Sequence, residues 1–257
     1  MKRILTSFFL IINFRTLVVT ALACASTYLC YQYNLMADFP VMLVSVAIVF
    51  PVVFSIDSAY KRRENALKHL ADFRGHAIAI YFGMKDWCTD KNHDLPSRTK
   101  MLMEEMLKTI RVMFKTRRGH SNEHEQEIYA MFSALSSYIN EFRGYGVQSG
   151  EISRMNQYMS KMMIAFDNMK MVHHYRTPIT LRAYSKVFIY IFPIIYGPYF
   201  ANTVKTYSQS LEYVMPVLYS FILVSLDNIQ DHLEHPFDEV GEDDIRIDVS
   251  EFTQLMK

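Results

Sequence analysis

The chain has 257 residues, with 27 Lys and Arg against 26 Asp and Glu, for a formal net charge of +1. A balance that close points to no polyanionic partner, nucleic acid included. Three cysteines, Cys24, Cys30 and Cys88, lack metal-type spacing and imply no disulfide framework.

Mean hydropathy near zero hides the main feature, because charged stretches dilute long apolar ones. Met1-Lys2-Arg3 followed by Ile4–Ile12 imitates a secretory signal, yet Asn13-Phe14-Arg15 offers no small-residue cleavage site. Residues 4–14 are therefore expected to be an interfacial helix. No charge falls between Arg15 and Asp38, nor between Asp38 and Asp57. A bilayer core about 30 Å thick takes roughly 20 helical residues, so these runs predict a first hairpin of membrane spans. A third run lies between Lys186 and Lys205. A fourth, Tyr213–Leu226, reaches the length if it starts near Ser210 with Glu212 at the interface. The 17 Tyr and 18 Phe suit rings at membrane interfaces.

Lys2, Arg3 and Arg15 precede the first span, and Lys61, Arg62 and Arg63 follow the second. Arg182 and Lys186 lead into the third, whereas the hairpin loops carry only Lys205. The positive-inside rule then puts both termini and the central insert in the cytoplasm. No transit peptide is recognisable, which leans towards a bacterial plasma membrane. The expected divisions are 1–60 (interfacial helix and two spans), 61–182 (cytosolic helices), 183–235 (two spans) and 236–257 (acidic tail). The fold class is all-α.

The insert reads as helix throughout. Residues 62–85 continue the second span without a Pro or Gly until Gly75. After the turn-rich Asp90–Pro96, Ser97 is placed to cap a helix to about Arg118. Asn122 and Glu125 have capping-box spacing for the next. Ile128, Phe132, Leu135, Ile139 and Phe142 recur at helical spacing there, before Gly144, Gly146 and Gly150. A last helix carries Met155, Tyr158, Met159, Met162, Phe166 and Met169 on one face. That stripe is read as packed core rather than an adaptable peptide groove.

Catalytic signals are weak. His120 and His124 stand four apart, but no His-Glu-x-x-His order or third ligand accompanies them. His173 and His174 are adjacent and would diverge on a helix. There is no Gly-rich phosphate loop and no nucleophile elbow, and the spans hold no His and no acid pair. An enzyme is not expected. Neither is a secondary transporter, since four spans show no inverted repeat.

The span boundaries are more specific. Leu226-Asp-Asn-Ile-Gln-Asp-His-Leu-Glu-His-Pro-Phe237 followed by the acidic Asp238–Asp244 resembles the end of the last membrane helix in the bestrophin family. Thr177-Pro178-Ile179-Thr180 with Tyr184 is similar to the Pro-containing start of that family's third span. Phe54 followed by Tyr60, Arg62 and Glu64 is similar to the end of its second. The two-plus-two span layout around a helical insert also matches.

The resemblance implies a homopentameric channel for chloride or other small anions, with the lipid bilayer and its own copies as partners. Carried over from Phe54, the apolar neck falls on Val46, Phe50 and Phe54. The spacing of four also puts these on one helical face, as a lipid-facing or interhelical stripe would be. Such rings gate by dewetting. Pro51 inside this helix frees the carbonyl of Ala47. The second, cytosolic aperture falls on Thr177, polar where the family has an apolar residue, beside Arg176. Five copies of Arg176 would gather anions if they face the axis, or they snorkel to headgroups. Asp57 would favour cations instead, and Arg62 is a further selectivity candidate or simply a topological anchor.

The resemblance also implies a calcium clasp, with Glu242, Asp243 and Asp244 as candidate ligands and carbonyls near His232 and His235. Asp238 replaces the family's Gly, and an acidic run alone makes no cage of six to eight oxygens. No calcium, metal or other cofactor is expected, and the acidic run is read as solvated. Two alternatives remain: a non-conducting membrane scaffold or sensor whose insert binds a soluble partner, and a cation-selective channel on the same fold.

Overall fold

A computed structural model describes residues 13–38, 41–88, 93–116, 121–175, 178–206, 211–239 and 244–257. Among them the regular structure is helical, without a strand. In chain order the helices are α1 (Phe14–Gln32), α2 (Val41–Asp86), α3 (Leu95–Lys115), α4 (Ser121–Phe142), α5 (Ser149–His174), α6 (Ile179–Ile195), α7 (Gly197–Thr206), α8 (Leu211–Leu233) and α9 (Val249–Leu255). The expected interfacial helix over 4–14 lies mostly outside the described residues. The chain forms two compact units, Met1–Lys61 with Thr177–Glu234, and Arg62–Arg176 with His235–Lys257. α2 begins in the first and continues into the second.

In the first unit α1 starts on a reciprocal cap. Asn13 Oδ1 accepts from the Thr16 amide at 3.1 Å, and Thr16 Oγ1 accepts from the Asn13 amide at 3.3 Å. α1 packs against α6, α7 and α8. The core is built from Val19, Ile48, Val52, Ile189, Phe192, Tyr196, Phe200, Leu223 and Val224. Apolar residues also cover the outside, among them Leu17, Leu22, Leu29, Val187, Ile191, Val214, Leu218 and Ile222. A helix apolar on every side is one built for a non-aqueous or protein-filled surrounding. By length and apolarity alone, two helical stretches among the described residues suffice to cross a membrane: Phe14–Gln32, and one within Ser149–Ile195.

The third uncharged run is not one helix. α6 ends at Ile195 and α7 starts at Gly197. Pro198 has no N–H to give the Ile194 carbonyl, so the ladder breaks there. Ser26 Oγ on α1 donates to that carbonyl at 2.7 Å instead. Gly197 is required because a Cβ at this position would collide with Ser26.

In the second unit the continuation of α2 buries Ala66, Leu70, Phe73, Ala77, Ile80 and Met84, a stripe at steps of three and four. Gly75 lies inside this helix and does not end it. α3 packs on α4 and on α9, and α4 on α5. Met155, Met162, Phe166 and Met169 are buried in this core, as the stripe predicted, with Tyr158 and Met159 packed against it. Methionine suits such a core because its unbranched side chain fills irregular gaps.

Several boundaries differ from the sequence reading. α3 begins at Leu95 after Asp94, with Pro96 in its first turn, so Ser97 is already inside the helix. Proline fits there because the first-turn amides have no intrahelical partner. Asn122 likewise lies within α4, which starts at Ser121. Gly150 sits in the first turn of α5, while Gly146, at φ 76°, makes the turn before it. From Ile245 on, the C-terminal segment carries packed residues, while Glu242 and Asp243 of the acidic run lie outside the described residues. Ile245, Ile247, Val249, Phe252 and Met256 are buried in the second unit's core, because every second residue of Ile245-Arg246-Ile247-Asp248-Val249 is apolar.

Candidate functional site

α2 carries two faces in the first unit. Ile48, Val52, Ser55 and Ala59 are buried. Val46, Phe50 and Phe54, the expected neck, lie on the other side and are 44, 56 and 60% exposed. The Phe50 and Phe54 rings stand 6.1 Å apart, tilted by 31°. Val49 and Val53 continue this exposed apolar face. Its next charge, Asp57, is met by Lys61 at 2.7 Å one turn on, which makes the pair nearly neutral.

Arg62 donates to the Val172 carbonyl at the end of α5. That bond holds the guanidinium within the second unit. Thr177 and Arg176, the expected aperture, lie outside the described residues, as do Glu242 and Asp243. Among the described residues no three His, Cys, Asp or Glu side chains come together to hold a metal ion.

The sequence reading missed a layer of charge at the end of α8. Apolar as far as Leu226, this helix then buries Asp227, Asn228 and Gln230, and Glu234 just past its end. Tyr190 on α6 donates to Asp227 at 3.2 Å. Lys186 Nζ lies 3.1 Å and Arg15 Nη1 3.4 Å from Asp231. Arg182 pairs with Glu234, which also accepts from Gln230 at 3.3 Å. Asn13, the α1 cap, donates to Asn228 at 2.8 Å. Three cations from α1 and α6 thus pair with two carboxylates at the end of α8, Asp231 and Glu234. The signal was present as matched spacing: Arg182 and Lys186 stand four apart, as do Asp227 and Asp231. This acid pair begins just past the fourth uncharged run, Asp227 held by Tyr190 and Asp231 by Lys186 and Arg15.

The Pro-Phe segment lies in the second unit. Phe237 stacks on Phe114 with centroids 4.7 Å apart, and the Ile245 amide donates to the Pro236 carbonyl at 2.7 Å. Glu239 takes a left-handed backbone, φ 58°, unusual for a residue with a side chain. Its carboxylate receives Arg111 in fork geometry, Nε at 2.6 Å and Nη2 at 2.8 Å, and Lys115 at 2.5 Å. The hydrogen bonds from Arg111, with Lys115 adding to them, hold the Glu239 carboxyl down at about 2.

No protein-family profile and no curated protein matches the sequence. Solved structures do match. A crystal structure of a membrane-protein variant is 13% identical, with a TM-score of 0.79 over 95% of this chain and 96% of that one. A bacterial bestrophin homologue from Klebsiella pneumoniae is 14% identical, with a TM-score of 0.78 over the same shares, and a point variant of it matches equally. At that identity the fold is what is shared. The all-helical chain has a bestrophin-like fold along nearly its whole length.

Proposed function

We propose that the chain is the subunit of a bestrophin-like ion channel, four spans in two hairpins with the helical unit inserted between them. Five copies surround a central pore that passes chloride or other small anions without catalysis. The observation that carries this reading is the shared fold over 95% of the chain. Because a fold alone does not fix an activity, the residues must support it separately. The broadly apolar exterior of the first unit fits a bilayer and neighbouring subunits. The exposed Val46–Phe50–Phe54 face is a neck: five such rings make a dry constriction that ions cross only when it wets or widens. Asp57, neutralised by Lys61, leaves the mouth of that neck without a net negative ring.

Both termini and the second unit face the cytoplasm of a bacterial plasma membrane, with the cytosolic aperture at Thr177 beside Arg176. Calcium does not control the channel, because an acidic run alone provides no cage of six to eight oxygens. Currents that vanish with chelator and return with micromolar calcium would overturn that point.

The test is single-channel current from purified protein in a planar bilayer under a threefold KCl gradient. Reversal near the chloride equilibrium potential supports the reading. Reversal near the potassium value keeps the channel and transfers the selectivity to Asp57. Silence from protein shown to be folded and oligomeric overturns it in favour of a membrane scaffold.

A further inference from the structure

The balance of the whole chain conceals a local excess of positive charge on the second unit. Lys68, His69, Asp72 and His76 of α2, with Lys161 and Asn168 of α5, line a cavity of about 210 Å³. On α2, Lys68, Asp72 and His76 follow at steps of four and His69 stands three before Asp72, which sets them along one side of the helix. His76 is half-buried and stacks on Tyr158, ring centroids 6.0 Å apart and 21° from parallel, which fixes the imidazole at the wall. Neither Lys68 nor Lys161 makes an ion pair with a described residue. One carboxylate, Asp72, therefore faces two ammonium groups and two imidazoles.

This arrangement is wrong for a metal ion. His69 and His76 are two helical turns apart, about 10 Å along the axis, whereas ligating nitrogens lie about 2 Å from zinc. Cations spread over two turns instead suit a ligand with several charged oxygens. Lysine meets such groups as a point charge, and the Asn168 amide can donate to a phosphoryl oxygen.

We propose that this cavity binds an extended phosphate-type oxyanion, a diphosphate or longer, held by Lys68, Lys161, His69, His76 and Asn168. The same chemistry is offered by a free polyphosphate compound and by a polyphosphorylated lipid headgroup. Asp72 opposes the ligand and keeps the affinity moderate. Burial and the nearby Lys161 hold the His76 imidazole below its ordinary range, against a smaller pull from Asp72. An anion seated beside it favours the protonated ring, so binding tightens as the pH falls. Its ligand is detected without measuring current.

The experiment is isothermal titration calorimetry of the full-length protein in detergent with sodium pyrophosphate, chloride keeping the ionic strength constant. A water-dispersed short-chain phosphoinositide serves as the second ligand. Saturable pyrophosphate binding, about tenfold tighter at about pH 6 than at about pH 8, is expected as the His76 imidazole charges. Lys161→Gln and Lys68→Gln weaken it about tenfold each, and Asp72→Asn strengthens it by a similar factor. Binding of the phosphoinositide alone, lost in Lys161→Gln, supports the site with a lipid as its source. All these side chains are at least partly exposed, and unchanged melting curves verify folding of the variants. Absence of saturable binding by both ligands overturns the proposal, as does binding indifferent to Lys161→Gln or weakened by Asp72→Asn.

Discussion

Arg182 and Glu234 form an ion pair whose acidic member has no exposed surface. Nη1 lies 2.8 Å from Oε2, and the arginine keeps 22% of its side chain exposed. Four residues further along α6, Lys186 repeats the arrangement with Asp231, at 3.1 Å and a third exposed. The two pairs staple α6 to the C-terminal end of α8.

Removing Arg182 alone strands a buried carboxylate. Arg182→Gln should cost roughly 3–5 kcal/mol, the scale for breaking a buried pair on one side. Arg182→Gln combined with Glu234→Gln should recover much of the loss, because the uncompensated charge goes too. Melting curves of the wild type and three variants in detergent measure the coupling. Additive losses would show that the pair acts independently.

Phe50→Ala with Phe54→Ala should produce a leakier channel, with higher open probability and weaker rectification. Two aromatic rings per subunit leave the constriction, which then admits water. Bilayer recordings check this. Unchanged currents would mean that another face of α2 lines the pore.

Glu239 ties the C-terminal segment to α3 through Arg111 and Lys115. Its carboxyl is held at about 2 in the folded chain against an ordinary 4.5. The stabilisation is therefore full above the ordinary carboxylate range and lost as pH falls from about 4.5 to about 2. Glu239→Gln should lower stability at neutral pH by on the order of 1–2 kcal/mol, after allowance for solvent screening around the exposed part of Arg111. The difference should vanish near the acid end. Melting temperature followed against pH in both proteins gives the comparison.

Ser26→Ala should destabilise the junction of α6 and α7 by about 1 kcal/mol, since the Ile194 carbonyl loses its donor. Gly197→Val should cost more, because its side chain must displace Ser26 and α1 with it. Hydrogen exchange confined to residues near 194–200 would report the first change. Global loss of α1 packing would report the second.

Much of the fold is legible from residue types alone. Uncharged runs of membrane length and a 3.6-residue apolar period in the insert are local properties, and helices read them directly. Helical spacing places the methionine stripe of α5 on the core side, where Met155, Met162 and Met169 are buried. The candidate site divides differently. The common face of Val46, Phe50 and Phe54 follows from spacing, whereas its exposure follows only from packing: the opposite face, Ile48 to Ala59, is the one covered. The break at Tyr196 was written as Gly197-Pro198, but an apolar run long enough to span a bilayer outweighed it in a reading by charge. The acid layer of α8 was masked because its partners lie far away in sequence, at Asn13, Arg15, Arg182 and Lys186.

Residue pattern along the chain suffices for the helical class, the apolar segments and the continuity of α2, since backbone hydrogen bonding and hydrophobic period act over a few residues. Packing between distant segments sets the rest: which apolar face stays uncovered, which carboxylates are neutralised, and that the segment from Ile245 on is packed. Those outcomes rest on contacts between distant segments, such as Asn13 with Asn228, 215 residues apart. Burial and ion pairing depend on what the folded chain brings alongside a residue, and its own neighbours in sequence do not specify that.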